Sequence, residues 1–506
     1  MLNKTAHFPL KIILLVLFCV QLLVLVTWID YPLLDHHAFR QTQTVLSAYW
    51  LLQDFNPLNY ITPVLGAPWS IPFEFPLYQL FVVLLAKIFP FLGFDAAARI
   101  VSWSFSIACA YPLFRIVRRY ADSETTGLTA VCFYLACPLY LFWGRTGMIE
   151  STALFFSCMC FWQLIRLGDS PSWRFTLLAA LFGVCGALAK ITTIPVFMAA
   201  GYAHILCVQK SKSVFSRDAV FFLLPGAISL LAAYAWYTHA DQVKMLNDFG
   251  RQITSEKLIR FNFGTLEQRL SAKTWSTLLE HAFRDILSIG AIPLVCAVVA
   301  FFRVTPRRNK LFALAGVAVF MLPLLIFTNL HYVHDYYQAA CAIALLASFA
   351  FLISPDESGK SPSRHAVAVA CISLFLVFGF FLDYYPDIKK AVHSETLVAA
   401  DIVKQHTRAE SAIIVYGWGW SSEVPYYSRR KGLAVPEWDN TGNAMDAAKH
   451  GMGGLPVSAL VVRNLTDLPR RDQDEIAAIL RAKPAALKYH ERNVDVYILE
   501  PEGALD

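Results

Sequence analysis

Charge is scarce in this chain. Asp, Glu, Lys and Arg make up 16% of its 506 residues, where soluble domains carry about a quarter. No cysteine stands in a long loop or in the C-terminal tail. All eleven (Cys19, Cys109, Cys132, Cys137, Cys158, Cys160, Cys185, Cys207, Cys296, Cys341 and Cys371) fall inside apolar segments. That excludes a disulfide-stapled secreted module and a spaced thiolate metal site, and leaves membrane-buried thiols acting as small hydrophobes. No Gly-rich phosphate loop, internal repeat or low-complexity tract is present. The net charge of +6 gives no reason to expect a nucleic-acid partner, because Lys and Arg in a membrane protein mostly report cytoplasmic loops. What is abundant is apolar: 57% of the residues are hydrophobic and the mean hydropathy is +0.48. The excess comes in blocks long enough to cross a bilayer, so the chain reads as a polytopic membrane protein.

A spanning helix needs about 20 apolar residues. The first block, 10–29, follows Lys4 and Lys11 and no small-residue cleavage site comes after it, so it reads as an uncleaved span with a cytoplasmic N-terminus. Further blocks run over 76–92, 96–117, 126–143, 151–166, 175–189, 191–208, 218–236, 284–302, 310–329, 337–353 and 365–383. Basic residues decide how they thread. If 76–92 lies along the outer leaflet, five short basic loops all become cytoplasmic. These loops hold Arg115/Arg118/Arg119, Arg166/Arg174, Lys210/Lys212/Arg217, Arg303/Arg307/Arg308/Lys310 and Lys360/Arg364. The expectation is an all-α bundle of eleven spans plus one juxtamembrane helix over residues 1–385, with outer stretches 30–95, 144–150, 237–283 and 330–336. From about 396 charge returns and apolar runs shrink to strand length (412–416, 459–463, 494–499), with an amphipathic helix over 472–482. Residues 386–506 therefore read as a small soluble α/β domain outside the membrane.

Polar groups at membrane depth are costly and need a reason. Asp35, His36, His37, Arg40 and Gln41 crowd where the chain leaves the first span; a solvated loop would also look so. Glu74 stands between Phe73 and Phe75 before the juxtamembrane helix, where the macrodipole alone favours an acid. Arg145 and Glu150 flank a very short turn and could simply pair. Lys190 interrupts two apolar blocks and could snorkel to the headgroups. His331, His334, Asp335, Tyr336 and Tyr337 form another outer turn, where tyrosines also occur as an aromatic belt. Together these residues imply one outward-facing chamber. Cations there would hold a phosphate and a carboxylate would take a proton from a hydroxyl.

At these clusters the sequence resembles the GT-C superfamily of membrane glycosyltransferases, and is most similar to the protein O-mannosyltransferase and lipid A aminoarabinose transferase branches. The resemblance covers roughly 8–385 by the order of its landmarks: Asp35; Glu74-Phe75-Pro76-Leu77; Ala97-Ala98-Arg99; Arg118-Arg119-Tyr120; Arg145 and Glu150; Ala189-Lys190; and His334 to Tyr337. It implies Asp35 as the general base and Glu150 as a supporting acid. Arg40, Lys190 and Tyr337 would contact the donor phosphate, and Glu74, Arg145, His334 and Tyr336 would line the substrate pocket. In some relatives a Glu at the Glu74 position joins a His in binding a metal. No ligand spacing in this chain supports one, so a divalent metal stays open as a cofactor. The chain departs from the pattern at His36, where a second acid is common, and at Phe75, where a Lys is usual.

The reaction implied is a single inverting displacement. A sugar leaves a polyprenyl phosphate for a hydroxyl on an extracytoplasmic glycan, lipid or protein, at a bacterial inner membrane. The rival reading is a transporter or flippase of polyprenyl-linked sugars, which also needs intramembrane charge. Such a protein should show repeated halves with helices broken at midplane, and the sequence shows no repeat.

Overall fold

The computed structural model describes residues 7–209, 219–288, 291–303, 305–354, 362–438 and 443–500. Lys4, Lys210, Lys212, Arg217 and Lys360, which bear on the threading, lie outside the described residues. A helix occupies each of the eleven stretches expected to cross. They are Phe8–Thr27, Phe94–Ala108 with Ala110–Ala121, Glu124–Ala136 with Pro138–Trp143, Glu150–Asp169, Trp173–Ala189, Ile194–Val208, Ala219–Lys244, Ala291–Arg303, Arg307–Ile326, Ala342–Ile353 and Pro362–Asp383. Five apolar runs are long enough to span by length and composition: Phe8–Thr27, Phe94–Ala121, Val220–Lys244, Arg307–Ile326 and Ser363–His406. Shorter apolar helices accompany them, and the chain is a multi-pass membrane protein. The helix Leu77–Ile88 has 12 residues, about 18 Å at 1.5 Å per residue, well short of a hydrocarbon core of about 30 Å.

Contacts divide the chain into two compact units. A helical unit comprises Met1–Asp30, Ala96–Tyr237 and Lys257–Pro386; a mixed unit comprises Tyr31–Asp95, Thr238–Glu256 and Asp387–Asp506. The division differs from a cut at 385, because the segments 31–95 and 238–256 pack with the C-terminal residues.

In the helical unit local chemistry sets the breaks. Ser123 and Ser172 cap their helices by accepting from Thr126 N and Phe175 N. The helix ending at Ala136 stops because Cys137 takes an extended conformation before Pro138, which begins the next helix at a position suited to proline. Lys190 is likewise extended (φ −166°, ψ 103°), between Trp173–Ala189 and a helix that carries Pro195 in its first turn. Cys160, Leu164, Ala179, Ala187, Ile194 and Ala233 form a core where these helices meet. A Cβ on Gly186 would meet Ile194 at 3.0 Å, the close approach that small residues allow between helices in lipid. The span expected at 284–302 begins later, at Ala291. Ahead of it Ala282–Ile286 forms a π-turn that carries the charged pair Arg284 and Asp285. The turn expected at 330–336 is itself helical, Thr328–Val333 followed by a 3₁₀ segment Asp335–Ala340.

The mixed unit holds one five-stranded sheet: β1 Ala412–Tyr416, β2 Lys431–Ala434, β3 Val457–Arg463, β4 Ala485–Glu491 and β5 Val494–Leu499. Its order is β2-β1-β3-β5-β4, with β1 parallel to both neighbours and β5 antiparallel to β3 and β4. Every residue of β1 is buried, as its unbroken apolar run requires of a central parallel strand. Two strands escaped the sequence reading. β2 is short and contains Gly432, and β4 is a largely exposed edge carrying Lys488, His490 and Glu491. The free edge of β2 is covered by 63–66: Gly432 N donates to Pro63 O, Gly66 N to Gly432 O and Ala434 N to Val64 O. Leu33 N and Asp95 hold the tyrosines of the helix Glu423–Ser428, through Tyr427 and through both Tyr426 and Tyr427 respectively.

Candidate active site

In the helical unit Glu150 is the first residue of the helix Glu150–Asp169, where the helix dipole favours an anion. Lys190 directly follows the C-terminus of Trp173–Ala189, where the same dipole favours a cation. The two meet: Lys190 Nζ lies 2.6 Å from Glu150 Oε1, with side-chain exposures of only 4% and 5%. Lys190 therefore does not snorkel, and Glu150 takes Lys190 rather than Arg145 as its ion-pair partner. The other Glu150 oxygen, Oε2, is buried without a hydrogen bond. The ammonium also lies over the ring of Tyr337 at 3.7 Å and of Tyr336 at 5.2 Å, a favourable cation–π arrangement. His334 stacks on Tyr337 and packs at a tilt on Tyr336, and Tyr336 packs on Trp143. Glu150, Lys190, His334, Tyr336 and Tyr337 thus form one cluster.

Arg145 is buried with its guanidinium over Phe142 at 5.1 Å and Trp28 at 5.8 Å. Its carbonyl accepts from Arg99 Nη1 at 3.4 Å. Arg99, fully buried on Phe94–Ala108, was legible only as a landmark. Nearby in sequence to the tyrosine turn, Asp335 shares Arg284 with Asp285. No apolar-block reading singles out Arg284; two charges, Arg284 and Asp285, opening the expected span 284–302 were the available signal. Burial, then the charge of Lys190, hold the His331 imidazole down at about 3, so it is neutral at pH 7.

The mixed unit holds the remaining candidates. Asp35 is buried and accepts from Gln41 Nε2 at 2.5 Å, on the first turns of the helix Ala38–Gln53. Arg40 Nη2 donates to both oxygens of Glu74 at 2.9 Å, and Nη1 to Gln43 Oε1 at 2.7 Å. Tyr60 fixes the loop that carries Glu74: its hydroxyl accepts from Phe73 N and donates to Glu74 O. Burial, then the Glu74 charge, push that hydroxyl above its usual range. Lys244, paired with Asp241 at 3.1 Å, lies over the Phe73 ring at 5.2 Å; it closes a helix of otherwise apolar character, a signal passed over in the sequence. Both Glu74 oxygens accept from Arg40, so Glu74 would have to give up that cation to ligate a metal.

In fold this chain is similar to solved structures that also span nearly all of its length. Residues 72–238 match the model of the dolichyl-phosphate-mannose-protein mannosyltransferase family. The structure is similar to ArnT from Cupriavidus metallidurans in the apo state, at 11% identity and a TM-score of 0.60 over 96% of this chain and 97% of that one. The same protein bound to undecaprenyl phosphate matches at 12% identity and 0.61, over 97% and 98%. The oligosaccharyltransferase of Archaeoglobus fulgidus, tethered to an acceptor peptide, matches at 10% identity and 0.51, over 98% and 74%. No curated protein matches the chain in sequence.

Proposed function

We propose that the protein is a membrane glycosyltransferase that moves a sugar from a polyprenyl-phosphate donor to an extracytoplasmic hydroxyl, with inversion at the anomeric carbon. The observation that carries this reading is Lys190: an ammonium buried at the break between two apolar helices, held by Glu150 and covered by Tyr337. Burying such a charge is costly, and a lipid phosphate is the anion such a group serves. The likeness in fold to ArnT with undecaprenyl phosphate bound supports the same reading.

In this mechanism Asp35 takes the proton of the acceptor hydroxyl, and Gln41 orients the carboxylate. The acceptor oxygen attacks the anomeric carbon as the bond to the phosphate oxygen breaks. The electron pair leaves with the polyprenyl phosphate, whose charge Lys190 and Tyr337 stabilise from fixed positions. Glu150 keeps the ammonium in place until the phosphate arrives. His334, Tyr336 and Arg145 shape the donor pocket. Arg40 is committed to Glu74 and Gln43, so it ties the Glu74 loop to the helix Ala38–Gln53 and leaves the phosphate to Lys190. Eleven crossings, a cytoplasmic N-terminus, an extracytoplasmic C-terminal domain and a bacterial inner membrane complete the reading.

The test incubates purified protein with radiolabelled polyprenyl-phosphate sugars and candidate acceptors. Asp35→Asn should lower transfer by about 10²–10⁴-fold, the usual contribution of a general base, while donor binding persists. Equal transfer by the variant removes Asp35 from the reaction. Movement of labelled lipid across the membrane without a new glycosidic bond replaces the enzyme by a transporter.

A further inference from the structure

The mixed unit carries an aromatic group that the transfer reaction leaves unexplained. Its sheet has three parallel strands, β2-β1-β3, and ligands of open parallel sheets sit outside the carboxyl ends of the strands. Trp420 stands in the loop leaving the carboxyl end of β1, and Trp438 in the loop leaving that of β2. Their rings lie 6.1 Å apart at 70°. Trp420 also meets Phe39 at 4.9 Å and Phe73 at 6.1 Å.

The loop is built to hold this group. Gly417 has φ +90°, and a Cβ there would meet Arg463 O at 2.5 Å, so the chain can leave β1 only through glycine. Ser421 Oγ donates to Glu423 Oε1, and Ser422 Oγ donates to Phe39 O at 3.1 Å and bonds Thr42 Oγ1 at 2.8 Å. Trp420 and Phe39 are therefore tied into one body. Yet Trp438 leaves 42% of its surface in the open, although folding would normally cover so large a ring. Charge rims the cluster: Phe39 and Phe73 directly precede Arg40 and Glu74 in the chain, and Arg40 and Lys244 lie over the Phe73 ring at 5.9 Å and 5.2 Å.

We infer that Trp420 and Trp438 form a saccharide-binding platform that holds a pyranose ring of the acceptor; as an acceptor site it rests on the proposed transfer function. The C–H face of a pyranose is apolar with weakly positive hydrogens, and suits the negative face of an indole. Its hydroxyls lie at the ring edge and require charged or polar partners around an apolar floor. Rigid aromatic rings beside an ion pair supply both. The acceptor is then a glycan or glycolipid, not a bare protein side chain.

The test titrates full-length protein in lipid nanodiscs with gluco- and manno-configured tetrasaccharides, read by saturation-transfer NMR and calorimetry, with sorbitol as a ring-free control. Wild type should bind a tetrasaccharide and ignore sorbitol. Trp438→Ala should weaken binding by about tenfold or more, as loss of an exposed aromatic anchor does, with an unchanged thermal midpoint. Trp438→Phe should stay within about threefold, since it keeps a ring face. Unaltered binding by Trp438→Ala, or no saccharide binding by wild type, overturns the platform. Displacement of the tetrasaccharide by a polyprenyl-phosphate hexose assigns the site to the donor sugar and overturns the acceptor assignment. Saccharide binding that depends on Trp438, in a protein that transfers no sugar, keeps the platform and rejects only the proposed reaction.

Discussion

Among the candidate residues each unit holds a Glu bound to a basic side chain, Glu150 to Lys190 and Glu74 to Arg40, and the two pairs are built differently. In the helical unit Lys190 and Glu150 keep 4% and 5% of their side-chain surface and touch through one short contact. In the mixed unit Arg40 and Glu74 keep 16% and 19%; Nη2 alone donates to both Glu74 oxygens, and Nη1 is held by Gln43. A guanidinium is planar and pre-organised, so Nη1 on Gln43 fixes the orientation in which Nη2 meets the carboxylate. An ammonium is a point charge with three rotatable donors, and can hold one anion while accepting another. The helical pair thus suits exchange with an incoming phosphate and the mixed pair suits architecture. Burial raises the stakes of the first, because an ion left alone away from water is far more costly than one at a wet edge.

The largest effect should follow from splitting the buried pair. Lys190→Ala leaves the Glu150 carboxylate without its cation, and should cost about 3–5 kcal/mol of stability, seen as a lower unfolding midpoint in detergent. The double variant Lys190→Met/Glu150→Leu removes both charges and should recover most of that loss, since well-packed apolar replacements of buried pairs are often neutral. It should still transfer no sugar. Recovery of stability without recovery of transfer separates the two roles of the pair; a Lys190→Ala protein as stable as wild type would show that the pair is wet after all.

A smaller effect should appear with pH, again from the helical unit. The folded His331 imidazole stays neutral down to about 3, while an unfolded imidazole takes its proton near 6.5. Between those values the unfolded state binds more protons, so stability rises with pH and is lost as pH falls below 6.5, by up to about 1.4 kcal/mol per unit. Thermal unfolding of wild type and His331→Phe between pH 7 and 5 should diverge by about 2 kcal/mol at the acid end. Parallel curves would mean that His331 reaches water.

How much of this could be read beforehand follows from what periodicity records. Lys190 and Glu150 were visible because charge interrupts an apolar run, and the break at Lys190 has a local cause in Pro195. Their mutual pairing was not visible: they are 40 residues apart, and Arg145 is the nearer basic residue in sequence. Arg40 and Glu74 were each read as separate pocket groups for the same reason, being 34 residues apart. The strands β1, β3 and β5 announced themselves as apolar runs. β2 and β4 did not: β2 is only four residues long and contains a glycine, and β4 is an exposed edge whose pattern is diluted by charge. The grouping of 31–95 with the C-terminal residues rests on long-range contacts such as Gly432 with Pro63, which leave no periodic trace.

The smallest effect should come from the mixed pair, and it is the one that tests the two-nitrogen grip of Arg40. Arg40→Lys keeps the positive charge near Glu74 but offers one nitrogen where Arg40 uses two, Nη2 on Glu74 and Nη1 on Gln43. If the pair is architectural, the change should cost about 1 kcal/mol, in the range of partly exposed ion pairs, and part of that loss should vanish at high salt through screening. Transfer should fall modestly through an altered acceptor KM, because the Glu74 loop is less firmly held to the helix Ala38–Gln53, while donor affinity stays as in wild type. Measuring acceptor and donor saturation separately distinguishes the roles. A Lys variant that weakens donor binding and leaves the acceptor KM untouched would place Arg40 on the phosphate, and the contrast between the two pairs would then fail.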